Sequence, residues 1–455
     1  MTIFVQIASY RDPQLENTIK DMIENAKYPD NLRIGICRQF HPRDGFDLLS
    51  VYRDDKRFKI LHVLYSDSKG CCWARNKIQQ LYDGEDYTLQ IDSHMRFEKN
   101  WDDTLIKMIT KLQKKGFPKP LLTGYVSSFD PENDPAGRIQ EPWRMTFDKF
   151  IPEGAVFFMP EVIPGWEKLK EPVTSRFYSA HFAFTIGKFS TEVQHDPEFY
   201  FHGEEISIAA RAYTHGYDLF HPHKVVIWHE YTRKGRTKQW DDDKYWIKKD
   251  NASQSKNRQL FGMDSEEVTM DFSKYGFGNE RTLREYEIYS GLLFSKRLTQ
   301  QYTLDKEYPP NPKNYESEEE WENSFVKYFK NCIQVVHSLN LFPEYNWESN
   351  SLYQNFNDNH KISIYDDSDN IINEEYYNIC VTLENSSYHK HKLVNAVYNI
   401  SISYQFLKNE NKKLKYWVIE PINMNDRCIN MFLQQQPINE NETNAIGFVN
   451  LTGYF

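Results

Sequence analysis

Several features are scarce in this 455-residue chain, and each scarcity narrows what it can do. Long hydrophobic runs are missing. No segment approaches 18 consecutive apolar residues, so no membrane span is expected. Positive charge is in deficit. The 55 Lys and Arg stand against 65 Asp and Glu, and the formal net charge of −10 argues against nucleic acid or an anionic membrane as the main partner. Cysteine is sparse and unpatterned. The six (Cys37, Cys71, Cys72, Cys332, Cys380, Cys428) show no framework spacing, and the adjacent Cys71 and Cys72 are awkward to bridge, so free thiols are expected. Neither a Gly-rich dinucleotide fingerprint nor a P-loop occurs. The opening "MTIFVQIASYRD" has no basic start, apolar h-region or cleavage site and goes directly into a strand. With the free thiols, this predicts a cytoplasmic location.

What remains is an ordinary globular profile, 40% hydrophobic and 26% charged, with 30 Tyr and 30 Phe. The length suits two or three domains with a large core. Strands and helices alternate through the first 125 or so residues. "TIFVQIAS" reads as a buried strand. In "DPQLENTIKDMIENAKYP", Asp12 is the expected N-cap and Pro13 the first helical residue; Leu15, Ile19, Met22, Ile23 and Ala26 share one face. The strands "LRIGIC" and "FKILHVLY", the helix "CWARNKIQQLY", the strand "YTLQI", the helix "WDDTLIKMITKLQKK" and the strand "LLTGY" follow. This order predicts an α/β domain with a mainly parallel sheet. From Val126 to about Leu169 the pattern loosens, and long loops across one end of the sheet are expected. Ile206, Ala209, Ala210 and Tyr213 then show helical spacing, Gly216 suits the C′ position, and "KVVIWH" is another strand. "KEYPPNPKNYESEEEW" reads as a linker, residues 313–338 as an amphipathic helix, and the alternating segments after Lys361 as a small β-rich domain. The expected division is therefore 1–305, 306–338 and 339–455.

Chemistry concentrates at strand ends. In "YTLQIDSHMRFEKNW", the apolar alternation Tyr87, Leu89, Ile91 stops at Asp92-Ser93-His94. Side chains at i and i+2 share a face, so Asp92 and His94 are placed to point together from the strand's carboxyl end, where α/β sheets bind ligands. A carboxylate and an imidazole there begin a metal site; an Asx-turn with a surface His is the bland alternative. His229 closes a second strand in the same way. "IASYRD" ends the first strand, with Ser9, Tyr10 and Arg11 at that end and Asp12 placed to cap the following helix. Arg233, Lys234 and Arg236 form a charge run just after His229, which can be merely solvated.

"IASYRD", "CCWARNKIQQLYDGEDYTLQIDSHMRF", "HGEEISIAARAYTHGYDLFHPHKVVIWHEYTR" and "YGFGNERTLREYEIYSG" resemble the UDP-GlcNAc:polypeptide α-N-acetylglucosaminyltransferases, the Skp1-type enzymes related to the mucin-type polypeptide GalNAc-transferases. The resemblance covers roughly residues 2–300 and leaves out the C-terminal third. It implies a glycosyltransferase-A fold, retention of anomeric configuration, a divalent metal (usually Mn2+), a UDP-sugar donor, and a protein acceptor hydroxyl on Thr, Ser or hydroxyproline. It also implies roles. Asp92, His94 and His229 match the metal ligands. Arg75 matches a donor-binding arginine; Ser9 and Arg11 are then expected to bind uracil and ribose with Tyr10 stacking, Ser93 is on the same donor side, and Arg233, Lys234 and Arg236 can close as a loop over the diphosphate. "HGEE" matches a segment whose acidic residue contacts the sugar, so Glu204 is expected to position it and stabilise charge beside Asp92; Gly203 lets the backbone approach closely. Asp67 can bind donor or cap a turn. Another UDP-hexose (GalNAc, Gal or Glc), a glycan acceptor, or a catalytically silent carbohydrate-binding protein are the rival expectations. The oligomeric state is not legible.

Overall fold

The computed structural model describes residues 1–321, except 47–48, 152, 264–267, 312–314 and 316, and the strands lying within 332–452. The chain divides into two compact units. One comprises Met1–Lys149, Gly154–Arg297 and Tyr302–Lys313; the other comprises Phe150–Glu153, Leu298–Gln301 and Asn314–Phe455.

The first unit begins β1 (Ile3–Tyr10), α1 (Leu15–Asn25), β2 (Leu32–Phe40), β3 (Phe58–Leu64), α2 (Cys71–Gln79), β4 (Tyr87–Asp92), β5 (Met95–Phe97), α3 (Trp101–Lys114) and β6 (Pro120–Thr123). It continues with β7 (Trp143–Phe150), β8 (Val156–Val162), β9 (Val173–Thr174), β10 (Phe182–Ile186), α4 (Phe189–Glu192), α5 (Glu204–Thr214), β11 (Asp218–His221), β12 (Ile227–His229) and α6 (Gln239–Asp242). The central sheet runs β3-β2-β1-β4-β10-β6-β11-β9. Its β3-β2-β1-β4 half is parallel, as expected, while β10 enters antiparallel between β4 and β6.

Alternation in β1 explains the layering. Val5 and Ile7 face α1 and α3 with Leu89 and Ile91, packing on Leu15, Ile19, Met22, Trp101, Leu105 and Ile109. Phe4 points the other way, onto Ala74 and Ile78 of α2. Each such fully buried side chain contributes about 1.5–3 kcal/mol of transfer free energy. Strands covered on both faces read as near-continuous apolar runs, which is why β1 and β4 stood out.

Three local expectations change. α1 starts at Leu15, with Gln14 as its cap residue. Asp12 lies outside the helix and takes the Gln14 N–H at 2.8 Å in an Asx-type turn, which leaves its other oxygen for a different partner. Residues 126–169 are not all loop, because "WRMTFDKF" and "VFFMPEV" form β7 and β8, a two-stranded sheet; their aromatic and β-branched residues outweigh the Pro and Gly around them. The helix expected over 313–338 is overturned at its far end. Residues 318–321 are helical, but "CIQVVHS" (Cys332–Ser338) is a strand paired antiparallel with Cys428–Gln434, as Ile333, Val335 and Val336 favour.

The second unit carries a nine-stranded, mostly antiparallel sheet that includes Lys392–Ser403, Cys380–His389 and Asn444–Thr452. Residues 306–309 fall beyond the expected 305 boundary yet are held within the first unit: Arg144 donates to the Lys306 carbonyl at 2.9 Å and Thr174 to that of Pro309 at 2.6 Å.

Candidate active site

β1 and β4 are neighbours in parallel register, Ala8 opposite Asp92, so their carboxyl ends open side by side. Asp92 is the last residue of β4, and the chain turns through Ser93 and His94 into β5. β5 pairs antiparallel with β12, placing Met95 opposite His229, and the Glu230 N–H donates to the His94 carbonyl at 3.1 Å. These backbone bonds bring together three side chains that are up to 137 residues apart. His94 Nε2 lies 3.0 Å from His229 Nε2; Asp92 Oδ2 is 3.4 Å from His229 Nε2 and 3.6 Å from His94 Nε2.

Ligands bonded at roughly 2.1 Å to one divalent ion stand about 3.0 Å apart at right angles and about 3.4 Å apart at the tetrahedral angle. Two of the three spacings, 3.0 and 3.4 Å, fall on those values, and the third, 3.6 Å, lies 0.2 Å beyond them. The proton states fit as well. Asp12 Oδ2 meets His94 Nδ1 at 2.6 Å, which requires the proton on Nδ1 and turns the Nε2 lone pair inward. Burial pushes His229 down to about 4, so it is neutral near pH 7. Burial alone would raise Asp92, but its hydrogen bond with His229 and the charge of Arg75 hold it well below the usual carboxylate range. A neutral His229, an ionised Asp92 and a His94 whose Nε2 faces them make a metal-binding donor set.

Arg75, from α2, spans the site's charges. Its guanidinium donates to Asp92 Oδ1 at 2.8 Å and also to Glu204 Oε1, the first residue of α5. Glu204 is fully engaged. His195 Nδ1 lies 3.1 Å from Oε1, and the Cys72 thiol donates to Oε2 at 3.0 Å. Burial would raise Glu204, yet Arg75, His195 and the Cys72 thiol together outweigh it and bring the carboxyl down to about 2. Gly203, φ +88°, opens α5 with a backbone that other residues adopt at a cost, and a Cβ there would meet Asn257 at 3.0 Å. A second cluster, Cys71, Cys72 and Glu204, also has metal-like spacing, but burial raises the Cys72 thiol well above its ordinary value and the thiol spends its proton on Glu204, so it is no thiolate ligand.

Two cavities share this wall. The first, about 190 Å³, is lined by Tyr10, Asp12, Arg75, Ser93, Arg233 and Arg236, among others, together with the triad. The second, about 380 Å³, shares Arg75, Asp92, Phe201, His229 and Arg233 with it and extends past Glu204 and Glu205.

The other expected donor-side residues divide. Ser93 lines the first cavity and donates to Asp12 Oδ2 at 2.7 Å. Tyr10 lines it too, with its hydroxyl on Asp242 Oδ2 at 2.7 Å. Arg11 lies outside both cavity linings and pairs with Asp44 and Asp242 at 2.8 Å each. Ser9 is fully buried and lines neither cavity. Asp67 is exposed in a short turn away from both. Lys234 pairs with Glu132, whereas Arg236 reaches Glu230 at 2.7 Å and Asp12 at 3.5 Å. Sequence reasoning missed Asp12 as the orienting partner of His94. The sole available signal was an acid directly after a strand that neighbours β4.

The Glycosyltransferase (GlcNAc) family model matches residues 2–52 and 47–296. The chain belongs to that family. It is therefore a glycosyltransferase, and the match falls almost wholly within the α/β unit. No curated protein matches it. Among solved structures, GalNAc-T7 with UDP, GalNAc and Mn2+ aligns over 98% of this chain and 79% of its own, at 12% identity and a TM-score of 0.48. TarS of S. aureus with UDP-GlcNAc aligns over 53% of this chain and 61% of its own, at 12% identity and a TM-score of 0.35. No helix among the described residues is long and apolar enough to cross a membrane.

Proposed function

We propose that this glycosyltransferase moves GlcNAc from UDP-GlcNAc to a hydroxyl of a protein acceptor (Thr, Ser or hydroxyproline, as in the Skp1-type enzymes), with retention and with Mn2+ as the preferred ion. The observation that carries the reading is the convergence of Asp92 Oδ2, His94 Nε2 and His229 Nε2 within 3.0–3.6 Å of one another, on the wall of a cavity also lined by Arg75, Arg233 and Arg236. Asp92, His94 and His229 would hold the ion, which would supply Lewis-acid stabilisation of a diphosphate leaving group.

The chain's own groups do the rest. Asp12 keeps the proton on His94 Nδ1 and so keeps Nε2 available. Arg75 keeps Asp92 ionised and in place. Two imidazoles and one carboxylate leave more positive charge facing a diphosphate than a pair of carboxylates would, and imidazole favours Mn2+ over Mg2+. Arg233 and Arg236 are placed for phosphate oxygens. Glu204 acts through Arg75 as a charge-balancing and positioning residue; with both oxygens engaged, it is not free to be a covalent nucleophile. Recruitment of the acceptor falls to the second unit, and the protein works in the cytoplasm.

The test incubates the protein with UDP-GlcNAc, UDP-GalNAc, UDP-Gal and UDP-Glc, with Mn2+ or EDTA, and follows UDP release and the anomeric proton signal of any product. The proposal expects UDP-GlcNAc to be consumed fastest, EDTA to abolish turnover, Mn2+ to restore it better than Mg2+, and an α-linked product. A β-linked product or full turnover in EDTA would overturn it. Faster use of another UDP-sugar would reassign the donor.

A further inference from the structure

The two imidazoles of the triad are held in different ways. A histidine that binds a metal through one ring nitrogen usually spends its other N–H on a carboxylate, a carbonyl or water, and that bond fixes the direction of the ring. His94 follows the rule through Asp12, at 2.6 Å. His229 breaks it. Its Nδ1 is buried and meets no hydrogen-bond partner among the described residues. The backbone of His229 is well fixed, since its N–H donates to the Ser127 carbonyl at 3.0 Å and its carbonyl accepts the Phe129 N–H at 3.2 Å. The ring still needs something to set its direction.

Two other rings are in place to do so. His181, just before β10, is buried and stacks on His229, with centroids 4.3 Å and planes 22° apart. Tyr231 meets the same ring edge to face, at 4.3 Å and 69°. Both are anchored to one residue, Val126. Its N–H donates to His181 Nε2 at 3.3 Å, and its carbonyl accepts the Tyr231 hydroxyl at 2.7 Å. Tyr125 stacks on His181 in turn, at 5.1 Å and 25°. Resting on the metal-binding reading of the triad, we propose that His181 and Tyr231 are positioning residues for the metal, a pair of rings that aims His229 Nε2 at Asp92 and His94 where a hydrogen bond on Nδ1 would ordinarily do so. One ring pair of this kind favours its arrangement by an amount worth about two- to tenfold in an affinity. Two together are comparable with the roughly 10–100-fold that hydrogen-bonded orienting partners contribute.

The test measures Mn2+ affinity in the chelator-treated full chain from the free-ion EPR signal, with no turnover involved. Each ring is replaced in two ways. His181→Phe and Tyr231→Phe keep a flat ring, whereas His181→Leu and Tyr231→Leu keep apolar bulk without one. Both replacements at 181 remove the acceptor of the Val126 N–H, and both at 231 remove the donor to its carbonyl, so those losses cancel within each pair. The Phe variants are expected within about twofold of the wild type, and the Leu variants weaker by about fivefold or more. Urea unfolding of each variant separates a loss of fold from a loss of aim; where one Leu variant does not fold, the pair at the other ring decides. Absence of Mn2+ binding by the wild type would take down the triad reading and this inference together. Wild-type affinity in both Leu variants, or equal losses in the Phe and Leu variants of each pair, would overturn this inference alone.

Discussion

The two cavities share a wall and differ in almost everything else. The cavity at the triad gathers Arg75, Arg233 and Arg236 around Asp92, His94 and His229, while the larger one carries Tyr125, Phe157, Phe158 and Tyr231 beside Glu204 and Glu205. Arginines and imidazoles dominate the first, which suits a diphosphate under the proposed function, whereas carboxylates and rings stand together in the second. One guanidinium maintains the boundary, since Arg75 binds Asp92 on one side and Glu204 on the other. The contrast teaches that the site is organised by which charges are spent on each other, more than by which residues line it.

Removing Arg75 should break the contrast most severely. Arg75→Ala leaves Asp92 and Glu204 buried without their cation, and breaking such a pair costs about 3–5 kcal/mol. Chemical denaturation should show that loss, and UDP release should fall by more than about a hundredfold as Asp92 loses its orientation.

A smaller effect separates the two glutamates by pH. Glu205 has a folded pKa near 7, above its ordinary value of 4.5, so the folded state holds a proton there that the unfolded chain gives up. Its contribution is fully present below 4.5 and is lost as pH rises through 7. Glu205→Gln should therefore gain on the wild type as pH rises from 5 to 8 by about 1–2 kcal/mol, after discounting for its partial exposure. Glu204, drawn down to about 2, should show no such gain: Glu204→Gln should be destabilised at both pH values. Urea unfolding of the two variants at pH 5 and 8 reads the difference directly.

The smallest effect concerns Arg11. Because its guanidinium is held by Asp44 and Asp242 outside the cavity lining, Arg11→Ala should change KM for the UDP-sugar by less than about threefold, in line with a partly exposed ion pair. A tenfold rise would restore the uridine-binding role that the sequence suggested.

Much of the fold was legible because it is local. The apolar runs of β1 and β4, the helical spacing of Leu15, Ile19 and Met22, and the strand-terminal Asp92-Ser93-His94 all lie within single segments. The site's supports were not. Asp12 reaches His94 across 82 residues, and a helix-start acid carries no mark of that second use. Ser9 and Arg11 share the motif with Tyr10, yet only Tyr10 lines the cavity; Arg11 adopts φ +46° and turns toward Asp44. β7 and β8 were hidden by the Pro and Gly between them. The strand Cys332–Ser338 was absorbed into a helical pattern because seven residues at the end of a long amphipathic stretch fit either period. Glu204 and Glu205 look alike in sequence; only their partners tell them apart.

The central claim is that Asp92, His94 and His229 hold one divalent ion. Titrating Mn2+ into chelator-treated protein, followed by the loss of the free-ion EPR signal, tests it without reference to turnover. The account predicts one ion per chain in the wild type, affinity weakened at least tenfold in His94→Ala and in His229→Ala, and a smaller loss, still within the 10–100-fold range of orienting partners, in Asp12→Asn. Equal Mn2+ binding by the wild type and both histidine variants would contradict it.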